Sequence, residues 1–171
     1  YYQADLDYFN LSVSDGYFDT AIAVEVVEHI ENPGLLLKEL SRILRPGGLF
    51  LLTTPHLHSA QSKLLFSLTD RLKQFDRKGD PTHISPIFLF PFTRLLRRHG
   101  FEVVEKWGFP LDNSSPTSRR LMRFAAMVTR PFVKSAVGHG DNLCLLIRRT
   151  TQSYSEISEK NKTEMLTAHY G

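Results

Sequence analysis

Cysteine is almost absent from this 171-residue chain: Cys144 is the only one, so no internal disulfide can form and a cage of metal thiolates is not expected. Cys144 lies in an apolar, strand-like run with nothing nearby in sequence to activate a thiolate, which marks it as a buried structural residue rather than a nucleophile. Long hydrophobic runs are missing too. None approaches the ~18 uninterrupted apolar residues of a membrane span, and no basic-then-apolar leader opens the sequence. A formal net charge of +3 is too small to imply strong phosphate binding, so no nucleic-acid partner is expected. No internal repeat is visible. What is present, 42% hydrophobic and 23% charged residues, suits one globular domain with enough apolar material for a core, and a soluble, cytoplasmic protein is the expectation.

The most informative stretch covers residues 17–55. Ala21, Ile22, Ala23 and Val24 form an unbroken apolar run at the end of a strand spanning Phe18–Val24, which predicts a strand covered on both faces. An acidic turn over 25–31 follows. Asn32 is a candidate N-cap, Pro33 holds the favoured first helical position, and Leu35, Leu36, Leu40, Ile43 and Leu44 recur at helical spacing until Pro46-Gly47-Gly48 stops the helix. Residues 49–52 then read as a second buried strand, closed by Thr53-Thr54-Pro55. A right-handed crossover makes the two strands parallel and places both C-terminal ends, with the acidic turn, on the rim where open α/β sheets bind ligands. The fold class expected is therefore α/β.

Two spaced motifs, Glu25-Val-Val-Glu28-His29 after the first strand and Leu44-Arg45-Pro46-Gly47-Gly48 before the second, resemble the middle of class I S-adenosylmethionine-dependent methyltransferases. The likeness is to the small-molecule branch that includes ubiquinone-biosynthesis O-methyltransferases, and it covers residues 4–107. It implies the C-terminal part of a doubly wound Rossmann-like sheet, mostly parallel with an antiparallel last strand, and S-adenosyl-L-methionine as cofactor. The family's Gly-rich turn and the acidic residue ending its second strand have no counterpart here. The resemblance thus implies a longer protein truncated at its N-terminus, with the Phe18–Val24 strand left as an exposed apolar edge and the chain alone prone to aggregate.

The resemblance also assigns candidate residues. Asp5 and Leu6 match the end of the family's third strand, where an acidic side chain stands beside the adenine amino group; the other reading of Asp5 is a polar loop residue. Val24 and Glu25 would pass under the cofactor, contacting it through backbone or apolar atoms. Glu28 and His29 are candidates for contact with substrate or a metal, or for hydrogen bonds that stabilise the turn, and His56 is a further candidate substrate contact. No metal site is expected, since no carboxylate at matching spacing accompanies His56, His58 and His83. Residues 56–90 resemble a substrate lid, with a helical pattern over 59–75. His83, in this segment, is a candidate base or substrate contact for a hydroxyl or amine acceptor, or a loop histidine capping the next helix.

Residues 92–99 read as a helix, 101–107 as a strand and 142–148 as the last strand, which the resemblance implies is inserted antiparallel. A basic segment with apolar residues over 119–137 is either a helix packed on the domain or a peripheral contact with an anionic membrane. Residues 1–149 form the expected partial methyltransferase domain, and 150–171 a polar tail. The function expected is methyl transfer from S-adenosylmethionine to a small or lipid-like acceptor. The alternative is a non-catalytic relative serving as a binding or scaffold module. A nucleic-acid base methyltransferase is disfavoured because no Asn/Asp-Pro-Pro-Tyr/Phe motif follows Val24.

Overall fold

Strand β1 (Phe18–Val24) leads through a short 3₁₀ turn (Val27–His29) into helix α1 (Pro33–Ile43), which returns to strand β2 (Leu44–Pro55) parallel to β1. This is a computed structural model, and it describes residues 5–8, 11–76, 79–109, 138 and 140–151. The segment 119–137 and most of the polar tail lie outside the described residues. Helices α2 (Ala60–Thr69) and α3 (Leu89–Arg98) follow, then strands β3 (Phe101–Phe109) and β4 (Asn142–Arg149). The sheet order is β1-β2-β4-β3, and β4 is antiparallel to both of its neighbours. Strands β1, β2 and β3 therefore share one direction and the last strand opposes them, as the resemblance implies.

The start of α1 forms as its sequence dictates. Asn32 Oδ1 accepts from Gly34 N at 3.1 Å, and Pro33 follows the cap, where its missing N–H is no loss. The helix stops at Ile43, three residues short of Pro46, because a proline clashes with the carbonyl four residues back and disfavours helical backbone before it. Leu44 is already extended and pairs with Phe18, so β2 begins well before the expected residues 49–52. The Pro-Gly-Gly turn has a steric reason. A Cβ on Gly48 would lie 2.8 Å from Arg45 O and 3.0 Å from Asp19 O, so only glycine lets the two strands approach there.

The core lies between α1, α3 and one face of the sheet. Leu36, Leu37, Leu40 and Ile43 pack against Phe50 and Leu52 of β2, Leu143, Leu145 and Ile147 of β4, Phe101 of β3, and Phe92 and Leu96 of α3. Each such side chain contributes roughly 1.5–3 kcal/mol on burial. Leu37 is fully buried, whereas Leu35, expected on the inner face, is 44% exposed. The expectation that both faces of β1 are covered does not hold: Ala21 and Ala23 face the core, whereas Ile22 and Val24, on the opposite face, are 65% and 59% exposed because no element among the described residues covers that face; β1 is also the edge of the sheet among the described residues.

Two further boundaries differ from the sequence reading. Helix α2 stops at Thr69 rather than running to 75, because Asp70 adopts left-handed backbone (φ 56°). Helix α3 starts at Leu89, where His58 Nε2 accepts the Leu89 N–H at 2.9 Å and satisfies an otherwise orphaned donor.

Candidate functional site

The site is built where β1 and β2 end. Glu25 leaves β1 in left-handed backbone (φ 51°), a conformation costing roughly 1–2 kcal/mol for a residue with a Cβ. Thr53 of β2 holds it: the Glu25 N–H is shared between Thr53 O at 3.2 Å and Thr53 Oγ1 at 3.1 Å, and the Thr53 hydroxyl donates to Glu25 Oε1 at 3.0 Å. This kink turns the chain into the 3₁₀ turn, where Val27 and Glu28 have no exposed surface. Thr54, next along β2, donates to Glu28 Oε2 at 3.1 Å. Glu28 Oε1 is buried and has no hydrogen-bond partner among the described residues.

A loop over residues 80–86 is fastened across this turn. Ile84 N and Ser85 N both donate to Glu28 O at 2.9 Å, and the Ser85 hydroxyl donates to Ile30 O. The fastening brings His83 to His29, with ring centroids 4.7 Å apart and edge to face, and Phe75 packs 5.3 Å from the His83 ring on another side. His83 Nδ1 lies 3.0 Å from Gln74 O, and His29 Nδ1 lies 3.2 Å from Thr82 O and 2.9 Å from Thr82 Oγ1. A carbonyl oxygen can only accept, so in each neutral ring Nδ1 carries the proton and Nε2 carries the lone pair. Glu28, His29 and His83 each offer one ligating atom, all within 4.8 Å of one another.

The charges here are unbalanced. Burial pushes the Glu25 carboxyl above its ordinary value and the Glu28 carboxylate adds to the rise, with the Thr53 hydrogen bond and the two histidines pulling the other way. Among the described residues, the ion-pair partner of Glu28 is His29, with Nε2 4.0 Å from Oε1, too long for a hydrogen bond. Cys144 pairs with Thr53 across β2 and β4, and burial, with the Glu25 charge second, pushes its thiol up; it is a packed core residue, as its surroundings in sequence suggested.

Of the residues picked out in the sequence, Glu25, Glu28, His29 and His83 come together. His83 does not cap α3; that role falls to His58. Nor do His56, His58 and His83 converge: His56 is 2% exposed, its N–H donates to Asp141 O at 2.8 Å, and its carbonyl accepts from Ser62 Oγ at 2.7 Å. Asp5 is exposed and accepts from Asp7 N at 3.0 Å, while Leu6 packs against the edge of the core. Asp7 ties this segment to the start of α1 by accepting from Asn32 N at 3.0 Å. Sequence reasoning missed Thr53, Thr54 and Thr82. The available signal was a pair of hydroxyls ending a buried strand opposite an acidic turn. A separate groove of about 410 Å³, lined by Pro33, Ile87, Phe88, Phe92, Arg94 and Arg98 among others, includes none of the clustered residues.

Comparison with known proteins agrees with this architecture. Residues 2–106 match the family model described as a methyltransferase domain. The chain is 32% identical over 93 residues to a ubiquinone biosynthesis O-methyltransferase of Dinoroseobacter shibae, covering 53% of this chain and 37% of that protein. It is 30% identical over 111 residues to a probable S-adenosylmethionine-dependent methyltransferase of Mycolicibacterium smegmatis, covering 63% and 39%. The chain thus spans about two fifths of the length of these relatives. The solved structure of a SAM dependent methyltransferase from Archaeoglobus fulgidus superposes with a TM-score of 0.53 at 18% identity, over 80% of this chain and 62% of that one, which is a likeness of fold. Since the family model covers more than half of the sequence and the sheet carries the expected antiparallel last strand, the chain belongs to the S-adenosylmethionine-dependent methyltransferase family.

Proposed function

We propose that the protein containing this chain transfers a methyl group from S-adenosylmethionine to a hydroxyl of a small or lipid-like acceptor. The observation that carries this reading is the loop over 80–86, fastened to the Glu28 carbonyl so that His83 faces His29 and Glu28 on the sheet rim. Two relatives named as ubiquinone biosynthesis O-methyltransferases, 32% and 41% identical over the residues they share with this chain, favour oxygen as the accepting atom.

The residues present suit the cofactor. The exposed apolar end of β1 at Ile22 and Val24 offers a surface for it, and the Glu25 carboxyl is engaged by Thr53, so Glu25 would contribute backbone. Asp5 and Leu6 would take the adenine end, with the Asp5 carboxylate accepting from the amino group. Bound there, the cofactor supplies a methyl already activated on a sulfonium. The chain's own residues then orient the acceptor and exclude water, as the fastened loop is placed to do. The Nε2 atoms of His29 and His83 carry lone pairs to which an acceptor hydroxyl can donate, and removing that proton as the C–O bond forms is worth roughly 10²–10⁴-fold in rate. The basic, apolar composition of residues 119–137 suits contact with an anionic membrane, where a lipid-like acceptor would be found.

The test is transfer of labelled methyl to a panel of hydroxylated small molecules and lipids by the full-length protein. A methyl ether product is expected, with His83→Ala lowering kcat by roughly 10²-fold or more. Labelling of nucleic acid, or no transfer by a protein that binds S-adenosylhomocysteine, would overturn the proposal and favour a binding module.

A further inference from the structure

We propose that Lys73 and Asp141 are positioning residues for His83: their ion pair straps the segment over 71–76 to the start of β4, so that the Gln74 carbonyl holds the proton on His83 Nδ1 and leaves the lone pair on Nε2. The effect of the strap on the reaction rests on the methyl-transfer reading; the orientation of the ring does not.

The anchor is built where three strand ends meet. Asp141, just before β4, donates its N–H to Phe109 O at the end of β3 at 3.0 Å, and its carbonyl accepts from His56 N, just beyond β2, at 2.8 Å. Its side chain is 9% exposed and pairs with Lys73 Nζ, on a side chain 18% exposed. Asp141 Oδ2 is buried with no hydrogen-bond partner among the described residues, so Lys73 supplies the charge that balances this carboxylate. Releasing Lys73 would leave a buried charge uncompensated, which makes the fastening strong. A second ion pair, Arg71 with Asp76, closes the same segment on itself.

What the strap presents is a carbonyl. Gln74 follows Lys73 in left-handed backbone (φ 70°), a conformation unfavourable for a residue with a Cβ and a mark of a site where the surroundings dictate the geometry. Gly79 lies so close that a Cβ on it would run into Gln74 O. The carbonyl placed in this way accepts from His83 Nδ1 at 3.0 Å, while Phe75 packs on the ring with centroids 5.3 Å apart. The ring is thus held from a polar and an apolar side by neighbouring residues of one segment.

Two different fastenings therefore act on His83. Hydrogen bonds from Ile84 N and Ser85 N to Glu28 O fix where its backbone sits on the rim. The strap fixes which nitrogen is protonated. A neutral imidazole free of such a partner exchanges between tautomers, and the one with the proton on Nε2 cannot accept from an acceptor hydroxyl. A hydrogen-bond acceptor on Nδ1 is the general means of holding the tautomer that a base needs.

The experiment compares Lys73→Met, Lys73→Arg and the double variant Lys73→Met with Asp141→Asn in the full-length protein. The double variant removes both charges and stays folded if the lone buried carboxylate left by Lys73→Met unfolds the chain. Nitrogen NMR of histidine-labelled protein at alkaline pH, where imidazole is neutral, should show His83 protonated on Nδ1 in the parent and in Lys73→Arg, and a mixture of tautomers once the ammonium is gone. Loss of the ammonium should also lower kcat by roughly 10-fold, part of the general-base contribution, with KM for S-adenosylmethionine unchanged. In the His83→Ala background the same substitutions should cause no further loss, since both act through one ring. A parent ring without the Nδ1 proton, the same tautomer in every variant, or an equal fall in kcat with and without His83 would overturn the strap. A tautomer mixture in a protein that transfers no methyl keeps the strap and fails the methyl-transfer reading alone.

Discussion

Replacing Gly48 by alanine tests the steric account of the Arg-Pro-Gly-Gly turn. The added Cβ would stand 2.8 Å from Arg45 O, 3.0 Å from Asp19 O and 3.5 Å from Leu44 Cδ2. Carbon-to-carbonyl contacts settle near 3.3–3.6 Å, so the methyl must move about half an ångström from two oxygens at once. Both belong to backbone, one in β1 and one in the turn entering β2, and neither can rotate aside as a side chain would. Forced overpacking of this kind costs about 1–3 kcal/mol, which for a domain of this size lowers Tm by on the order of 5 °C. Gly47→Ala separates the causes. Nothing lies within 4 Å of its Cβ, but its φ of 80° is left-handed, so it should lose only the roughly 1–2 kcal/mol of that conformation. Urea unfolding of both variants, with calorimetric melts, gives the comparison. A Gly48→Ala protein as stable as the parent would refute the close approach and the strand register built on it.

Three further outcomes follow from the same geometry. Thr54→Val removes the hydroxyl that donates to buried Glu28 Oε2 and should destabilise the protein by about 1–3 kcal/mol in urea unfolding, beyond the small effect of an otherwise near-isosteric change. Glu39 accepts from Arg42 Nε at 2.9 Å, Arg42 Nη2 at 2.6 Å and Leu11 N at 2.9 Å, and the Arg42 guanidinium holds its carboxyl below the ordinary value of 4.5. A depressed carboxyl stabilises the fold fully above the unfolded value and loses that contribution as pH falls through the folded one; Glu39→Gln should flatten the acid limb of a Tm-versus-pH curve below 4.5. Burial and Glu28 raise the Glu25 carboxyl, so its charge opposes folding above the unfolded value of 4.5, and Glu25→Gln, which can still bond Thr53, should raise the Tm near neutral pH; a lower Tm would contradict the repulsion.

Local chemistry made most of the fold legible in the sequence. Asn32-Pro33 starts α1 where a cap and a fixed φ require it, and the Phe18–Val24 strand, the helix at Leu96 and the final strand stand where apolar runs placed them, the antiparallel sense of the last being what the resemblance implied. The errors lie where one residue's conformation or a distant partner decides. Asp70 ends α2 by turning left-handed, and His58, far away in sequence, caps α3. The apolar run of β1 predicted two covered faces, but the face carrying Ile22 and Val24 has no layer packed on it among the described residues, and a run of apolar residues does not record what packs against it.

The candidate site was half legible. Glu25, Glu28 and His29 stand together in sequence, and their place at a strand end pointed to the rim. His83 comes from a loop more than fifty residues later, and what puts it there are two backbone N–H groups, at Ile84 and Ser85, bonding to Glu28 O. Such contacts carry no side-chain signature. The threonines that brace Glu25 and Glu28 were visible only as the end of a strand, because their roles depend on the β1-β2 register pairing Val24 with Thr53.

Calorimetric titration of S-adenosylhomocysteine into the full-length protein, with Asp5→Ala alongside, tests the central claim most directly. The account predicts binding in the micromolar range, about −8 kcal/mol, weakened roughly tenfold when the Asp5 carboxylate proposed to accept from the adenine amino group is removed. A folded, cooperatively melting protein that gives no heat with the cofactor product would contradict it, and would leave a methyltransferase fold serving as a binding module.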